Sequence, residues 1–172
     1  MNKTFKPSAF FKIPDDTWIS PFLNSNDSMS DLPFDLIDGF SIAKGKVEGK
    51  PTSLIHVHPH VSQVTFVLSG KVVLKMKGMM DRNPYEIALE SGNAGVTGKG
   101  EYFQIINPHS EECHVLYVVS PAYLFEMDNS KVIYDDALIL IRSWEELEKL
   151  NWLPPELTTP ENSFAARNNS YE

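Results

Sequence analysis

The chain has 172 residues, a net charge of −8 and 42% hydrophobic residues, enough for one domain whose core needs no disulfide staples. An acidic balance argues against nucleic acid and anionic membrane as partners, since both require a basic footprint. The single cysteine, Cys113, gives no internal disulfide. Met1 to Ser20 has no apolar leader and no run reaches the ~18 apolar residues of a membrane span, so a cytoplasmic protein is expected.

In chain order, residues 1–35 read as an N-terminal arm, rich in Pro, Ser, Asn and Asp, that packs on a body through Phe10, Phe11, Ile13, Trp18, Ile19 and Phe22. Residues 36–142 read as that body. Strands are expected over Leu36–Glu48, Thr52–His58 and Gln63–Leu68, with a turn at Ser69-Gly70. Lys71 to Lys77 then alternates, with Val72, Leu74 and Met76 on one face and the lysines on the other, the period of a half-buried strand. Tyr85–Leu89, Tyr102–Ile106, Cys113–Val119, Tyr123–Met127 and Ala137–Ile141 complete the strands. Gly92, Gly95, Gly98 and Gly100 crowd one stretch of tight turns. Residues 143–172 read as a short helix and a polar tail. Ser143 and Glu146 have the spacing of a capping box, Trp144, Leu147 and Leu150 form a stripe, and Pro154-Pro155 ends the helix after Trp152. Many short strands with glycine-rich turns and one late helix indicate an all-β sandwich or barrel.

All five histidines lie between His56 and His114. His56 and His58 sit two apart on a strand and therefore share a face. Two imidazoles aimed at one point suit a divalent metal. A surface pair and a hydrogen-bonded core pair are the alternatives from spacing alone.

His56-x-His58 is followed by Gln63 and, six residues later, by Gly70. This resembles the first motif of the cupin superfamily, with Gly49 one residue early for its leading glycine and Gln63 in place of its glutamate. Gly92, then Gly98-Lys99-Gly100, Phe103 and Asn107 follow the spacing of the second motif, with Gly98 for its proline and Phe103 for its histidine. The resemblance spans Phe40 to Met127 and implies a cupin-type jelly-roll β-barrel with a short C-terminal helix. Carried over position by position, it implies a metal such as Fe, Mn, Ni or Zn held by His56, His58 and Gln63. Phe103 cannot be a ligand, and Gln63 brings an amide oxygen without charge.

The alternation puts Gln63, Thr65, Val67, Val72, Leu74, Met76, Phe103 and Ile105 inside, a mainly apolar lining suited to a small molecule. His114 joins that lining if its face of the Cys113–Val119 strand turns inward, and is otherwise a rim residue. Tyr102, with His56 and His58, is a candidate proton donor or acceptor, and Glu101 is a weaker one. The leading expectation is a metal-dependent cupin enzyme (dioxygenase, lyase or isomerase) with its site in the barrel mouth. The alternatives are a metal-free isomerase or epimerase using His56 or His58 as acid and base, and a non-enzymatic small-molecule binder. A homodimer is expected, with the aromatic arm covering a partner's edge strand.

Overall fold

The computed structural model describes residues 9–13, 15–23, 39–50, 52–78, 80–123, 125–128, 131–141 and 143–149. In chain order the strands are β1 Phe11–Lys12, β2 Trp18–Leu23, β3 Ser41–Val47, β4 Ile55–Val57, β5 Ser62–Ser69, β6 Lys71–Lys77 and β7 Tyr85–Glu90. They continue with β8 Ala94–Thr97, β9 Tyr102–Ile106, β10 Cys113–Ser120, β11 Phe125–Asp128, β12 Lys131–Asp135 and β13 Leu138–Ile141. One helix, α1 Trp144–Leu147, follows.

Strand order is β1-β2-β3-β10-β5-β8 in one sheet and β13-β4-β9-β6-β7 in the other, with β11 and β12 forming a separate pair. All the pairings are antiparallel. The two larger sheets share one core. Val47, Val67, Cys113, Val115 and Tyr117 from the first meet Val72, Leu74, Met76, Leu89, Phe103 and Ile105 from the second.

The expected jelly-roll barrel is not what forms. Neither sheet closes on itself: each is open and ends in edge strands, β1 and β8 in one, β13 and β7 in the other. Alternation reports which residues face inward, but whether the outermost strands hydrogen-bond to each other depends on twist and stagger, which it does not encode. The molecule is a two-sheet β-sandwich.

Some strands departed from expectation. β2 falls inside the supposed arm and pairs with β3 through Trp18↔Lys46 to Leu23↔Ile42, so part of the arm is sheet. β8 forms within the glycine-rich stretch: Gly95 sits where an added Cβ would lie 2.7 Å from the Leu74 side chain, so this glycine serves close packing. β12 was not expected. The helix is one turn, and the Ser143 side chain makes no capping hydrogen bond, which corrects the capping box. Glu148 and Lys149 of the expected helix form a turn, and residues 150–152 and the tail lie outside the described residues. No helix among the described residues is long and apolar enough to cross a membrane.

Beneath α1 a second, smaller cluster forms from Ile55, Val57, Tyr102 and Leu147. The Trp144 indole N–H donates to Gln104 Oε1 at 2.8 Å, and Gln104 Nε2 donates to the Ser53 carbonyl at 2.8 Å. This anchors the helix on the outer side of β4 and β9. The inner side of those strands is thereby left to His56 and Phe103.

Candidate functional site

The interior divides into two ends. The β5–β6, β7–β8 and β9–β10 turns lie at one end, over the apolar core. The other end is polar: Asp15, His56, His58, Gln63, Thr65 and Thr97 are all buried there. Burying polar groups is unfavourable unless they are partnered, so each contact at this end carries information.

His56 lies opposite Phe103 in the β4–β9 ladder. Its ring centroid is 3.9 Å from that of Phe103 and 5.4 Å from that of His58, and His58 lies 5.0 Å from Phe103. Tyr123 adds an edge contact to His58 at 5.5 Å. The His-x-His spacing therefore does bring two imidazoles together, both against the phenyl ring.

His56 Nδ1 is 3.0 Å from the Leu54 carbonyl oxygen. A carbonyl only accepts, so Nδ1 carries a proton, and in the neutral ring Nε2 is left as an acceptor. Nε2 faces Asp15 Oδ2 at 3.9 Å. Asp15 comes from the turn before β2. Its Oδ1 accepts from the Thr17 amide at 2.9 Å and the Thr17 hydroxyl at 2.8 Å, and its carbonyl accepts from the Leu54 amide at 3.0 Å. The carboxylate is thus held in place from the residue two positions before His56.

Burial, and secondarily the neighbouring His56, push the His58 imidazole well below its ordinary titration range. Its Nδ1 is buried without a hydrogen-bond partner. Burial also keeps the Tyr117 hydroxyl protonated far above the usual phenol range, with the Asp15 charge the next cause. This hydroxyl too is buried and unpartnered. Asp15 and Tyr117 were both missed in the sequence. Asp15 carries only the Asp-x-Thr signature of a side-chain-closed turn. Tyr117 lies on the buried face of β10 with Val115 and Val119, opposite the face of His114.

His58 has a direct consequence for stability. The folded imidazole resists protonation, whereas the unfolded one titrates near its ordinary value of about 6.5. As pH falls through that value the unfolded state takes up a proton that the folded state refuses. Stability should therefore drop, by at most about 1.4 kcal/mol per pH unit from this group. Urea midpoints measured from pH 7.5 to 5 should fall more steeply for the wild type than for His58→Gln. Parallel curves would show that His58 is not held neutral.

The other expected site residues are placed as follows. Gln63 Nε2 donates to Thr65 Oγ1 at 3.3 Å, which is its one side-chain hydrogen bond among the described residues. Thr65, Val67, Leu74, Met76, Phe103 and Ile105 are all buried. Tyr102 turns the opposite way to Phe103, into the cluster under α1, and burial raises its titration. His114 lies on the outer side of β10, 2.9 Å from Glu112 Oε1. Glu101 accepts from the Tyr85 hydroxyl and from the Gly98 amide at 2.9 Å, and that hydrogen bond is the main reason Tyr85 is pushed up to about 12. Cys113 is buried and its thiol is pushed up to about 11, which does not suit a nucleophile.

These residues do not fit the divalent metal that the cupin motifs imply. Phe103 packs its ring on both imidazoles, His56 turns its free nitrogen toward Asp15, and Gln63 bonds along its own strand. Among the described residues no three His, Cys, Asp or Glu side chains are grouped to hold an ion.

No protein-family model matches the chain, and no curated protein matches it. Its fold is similar to those of several solved structures. One is CapF bound to 3-isopropenyl-tropolone (14% identity, 81% of this chain and 35% of that one, TM-score 0.55). Another is oxalate oxidase in complex with the substrate analogue glycolate (15% identity, 67% of this chain and 55% of that one, TM-score 0.53). A third is the CENP-C cupin domain of Drosophila melanogaster (8% identity, 63% of this chain and 72% of that one, TM-score 0.51). The chain thus spans about a third of CapF and about half of oxalate oxidase. At these identities the likeness establishes a shared cupin-type fold.

Proposed function

We propose that this chain is a cupin-superfamily protein that acts on a small molecule without a bound metal, using His56 as its acid–base group and Asp15 as the partner of that imidazole. The observation that carries this reading is the arrangement Leu54 carbonyl, His56, Asp15. The carbonyl fixes the tautomer, and the 3.9 Å approach of Asp15 Oδ2 to Nε2 stabilises the imidazolium once it forms. His56 Nε2 accepts a proton from a carbon adjacent to a carbonyl and later returns it. The Tyr117 hydroxyl, held protonated, donates a hydrogen bond to the oxygen on which charge collects. Proton removal and return give net isomerisation or epimerisation and require no co-reactant.

A binder without turnover is the second reading. It is favoured by how completely the site is enclosed, with His56 and His58 each 4% exposed. Slow exchange of substrate α-protons with deuterated solvent, dependent on His56, would separate the enzyme from the binder.

Metal analysis tests the main reading. Protein purified without a histidine tag is expected to contain substoichiometric Fe, Mn, Ni and Zn, and loading with each should leave its melting temperature unchanged. Phe103→His should gain metal-dependent stabilisation, because it replaces the phenyl ring with a ligand. Stoichiometric metal in the wild type, released by chelator with loss of stability, would overturn the proposal.

A further inference from the structure

His56 Nε2 and Asp15 Oδ2 are two acceptors that face each other across 3.9 Å, too far for a direct hydrogen bond and close enough to share a donor between them. Asp15 Oδ1 already accepts twice from Thr17, which leaves Oδ2 as the unengaged oxygen. The polar end therefore presents a carboxylate oxygen and an imidazole nitrogen.

Among the described residues no lysine or arginine is buried at this end. The lysines of the strands work on the outside: Lys46 lies 5.0 Å over the Trp18 ring, Lys75 lies 5.8 Å over Trp144, and Lys71 pairs with Glu90 at 3.3 Å. A buried anionic ligand would meet the Asp15 charge with no fixed cation to offset it. A primary ammonium would bring three donors and one positive charge.

We propose that the ligand of this site carries a primary amine, whose ammonium group is received by Asp15 Oδ2, leaving the neighbouring His56 Nε2 free. This rests on the reading of the polar end as a small-molecule site and specifies the charge class of the molecule it takes. Phe103 and Tyr123, with the two imidazoles, supply the aromatic wall that such a cation also favours.

Three molecules of nearly equal size test it on the full chain at pH 8: ethanolamine as cation, ethylene glycol as neutral control and glycolate as anion. Binding is followed by side-chain NMR shifts of His56 and His58. Ethanolamine should bind about tenfold or more tightly than glycolate, the difference expected of one charge-assisted contact. Asp15→Asn keeps the Oδ1 acceptor for Thr17 and so preserves the turn; it should erase the preference. Tighter binding of glycolate, or a preference that survives Asp15→Asn, would overturn the amine assignment while leaving a small-molecule site. No shift at either histidine with any of the three at saturating concentration would overturn the site reading, and the amine with it.

Discussion

Phe103→Ala is expected to lower the unfolding free energy by about 3–5 kcal/mol, the cost of removing a large ring from a packed interior. Phe103 is 0% exposed. Its ring packs 3.9 Å from the His56 centroid and 5.0 Å from that of His58, and its backbone pairs with Met76 on one side and His56 on the other. It therefore belongs at once to the apolar core and to the wall of the polar end. Truncation leaves a cavity between two imidazoles that then have no packing partner on that side. Urea denaturation should show the loss as a lower midpoint with an unchanged slope, and Phe103→Leu should recover part of it. A loss below about 1 kcal/mol would mean that the ring is not packed as described.

Gly49→Ala should cost about 1–3 kcal/mol, toward the upper end because the obstruction is backbone. A Cβ built at this position would lie 2.1 Å from the Ser110 carbonyl oxygen and 2.4 Å from its carbon. No rotamer change relieves that contact; the end of β3 and the β9–β10 loop would have to separate. Gly39→Ala is the matched control, with nothing within 4 Å of its built Cβ. Thermal melts of the two variants should differ by several degrees. Equal melting temperatures would show that the loop yields easily.

Gly49 also shows what could be read in the sequence and why. The glycine and asparagine positions of the motifs turn out to be structural. Gly49 admits the neighbouring loop, Gly100 adopts φ +72° and its amide donates to the His58 carbonyl at 2.9 Å, and Asn107 Nδ2 donates to the Val47 carbonyl at 3.1 Å and to the Glu111 carbonyl at 2.8 Å. Such residues are tied to the fold by local geometry, so their spacing pointed to the cupin-type strand arrangement. Chemistry is not tied in that way. The inward alternation of β5 and β6 was legible because only one face of each is apolar enough to be core. β10 was ambiguous, with Val115, Tyr117 and Val119 on one face and Leu116 and Val118 on the other, and the wrong face was considered for the site. Asp15 was not legible at all. It precedes both motifs, and only the pairing of β2 with β3 and the Leu54 amide bring it to His56. Closure of the sheets was equally beyond reach, because it is a property of twist accumulated over many strands.

The β10 strand lies between β3 and β5, and β4 pairs with β9, so strands far apart along the chain become neighbours before the polar end exists. Contacts of that kind are formed late, since long loops must be closed first. The hairpin of β6 and β7 is local and requires none of this. A folding intermediate that contained only such hairpins would lack the approach of Asp15 to His56. Formation of the Asp15–His56 pair during refolding therefore comes later than any signal that reports only on strand content.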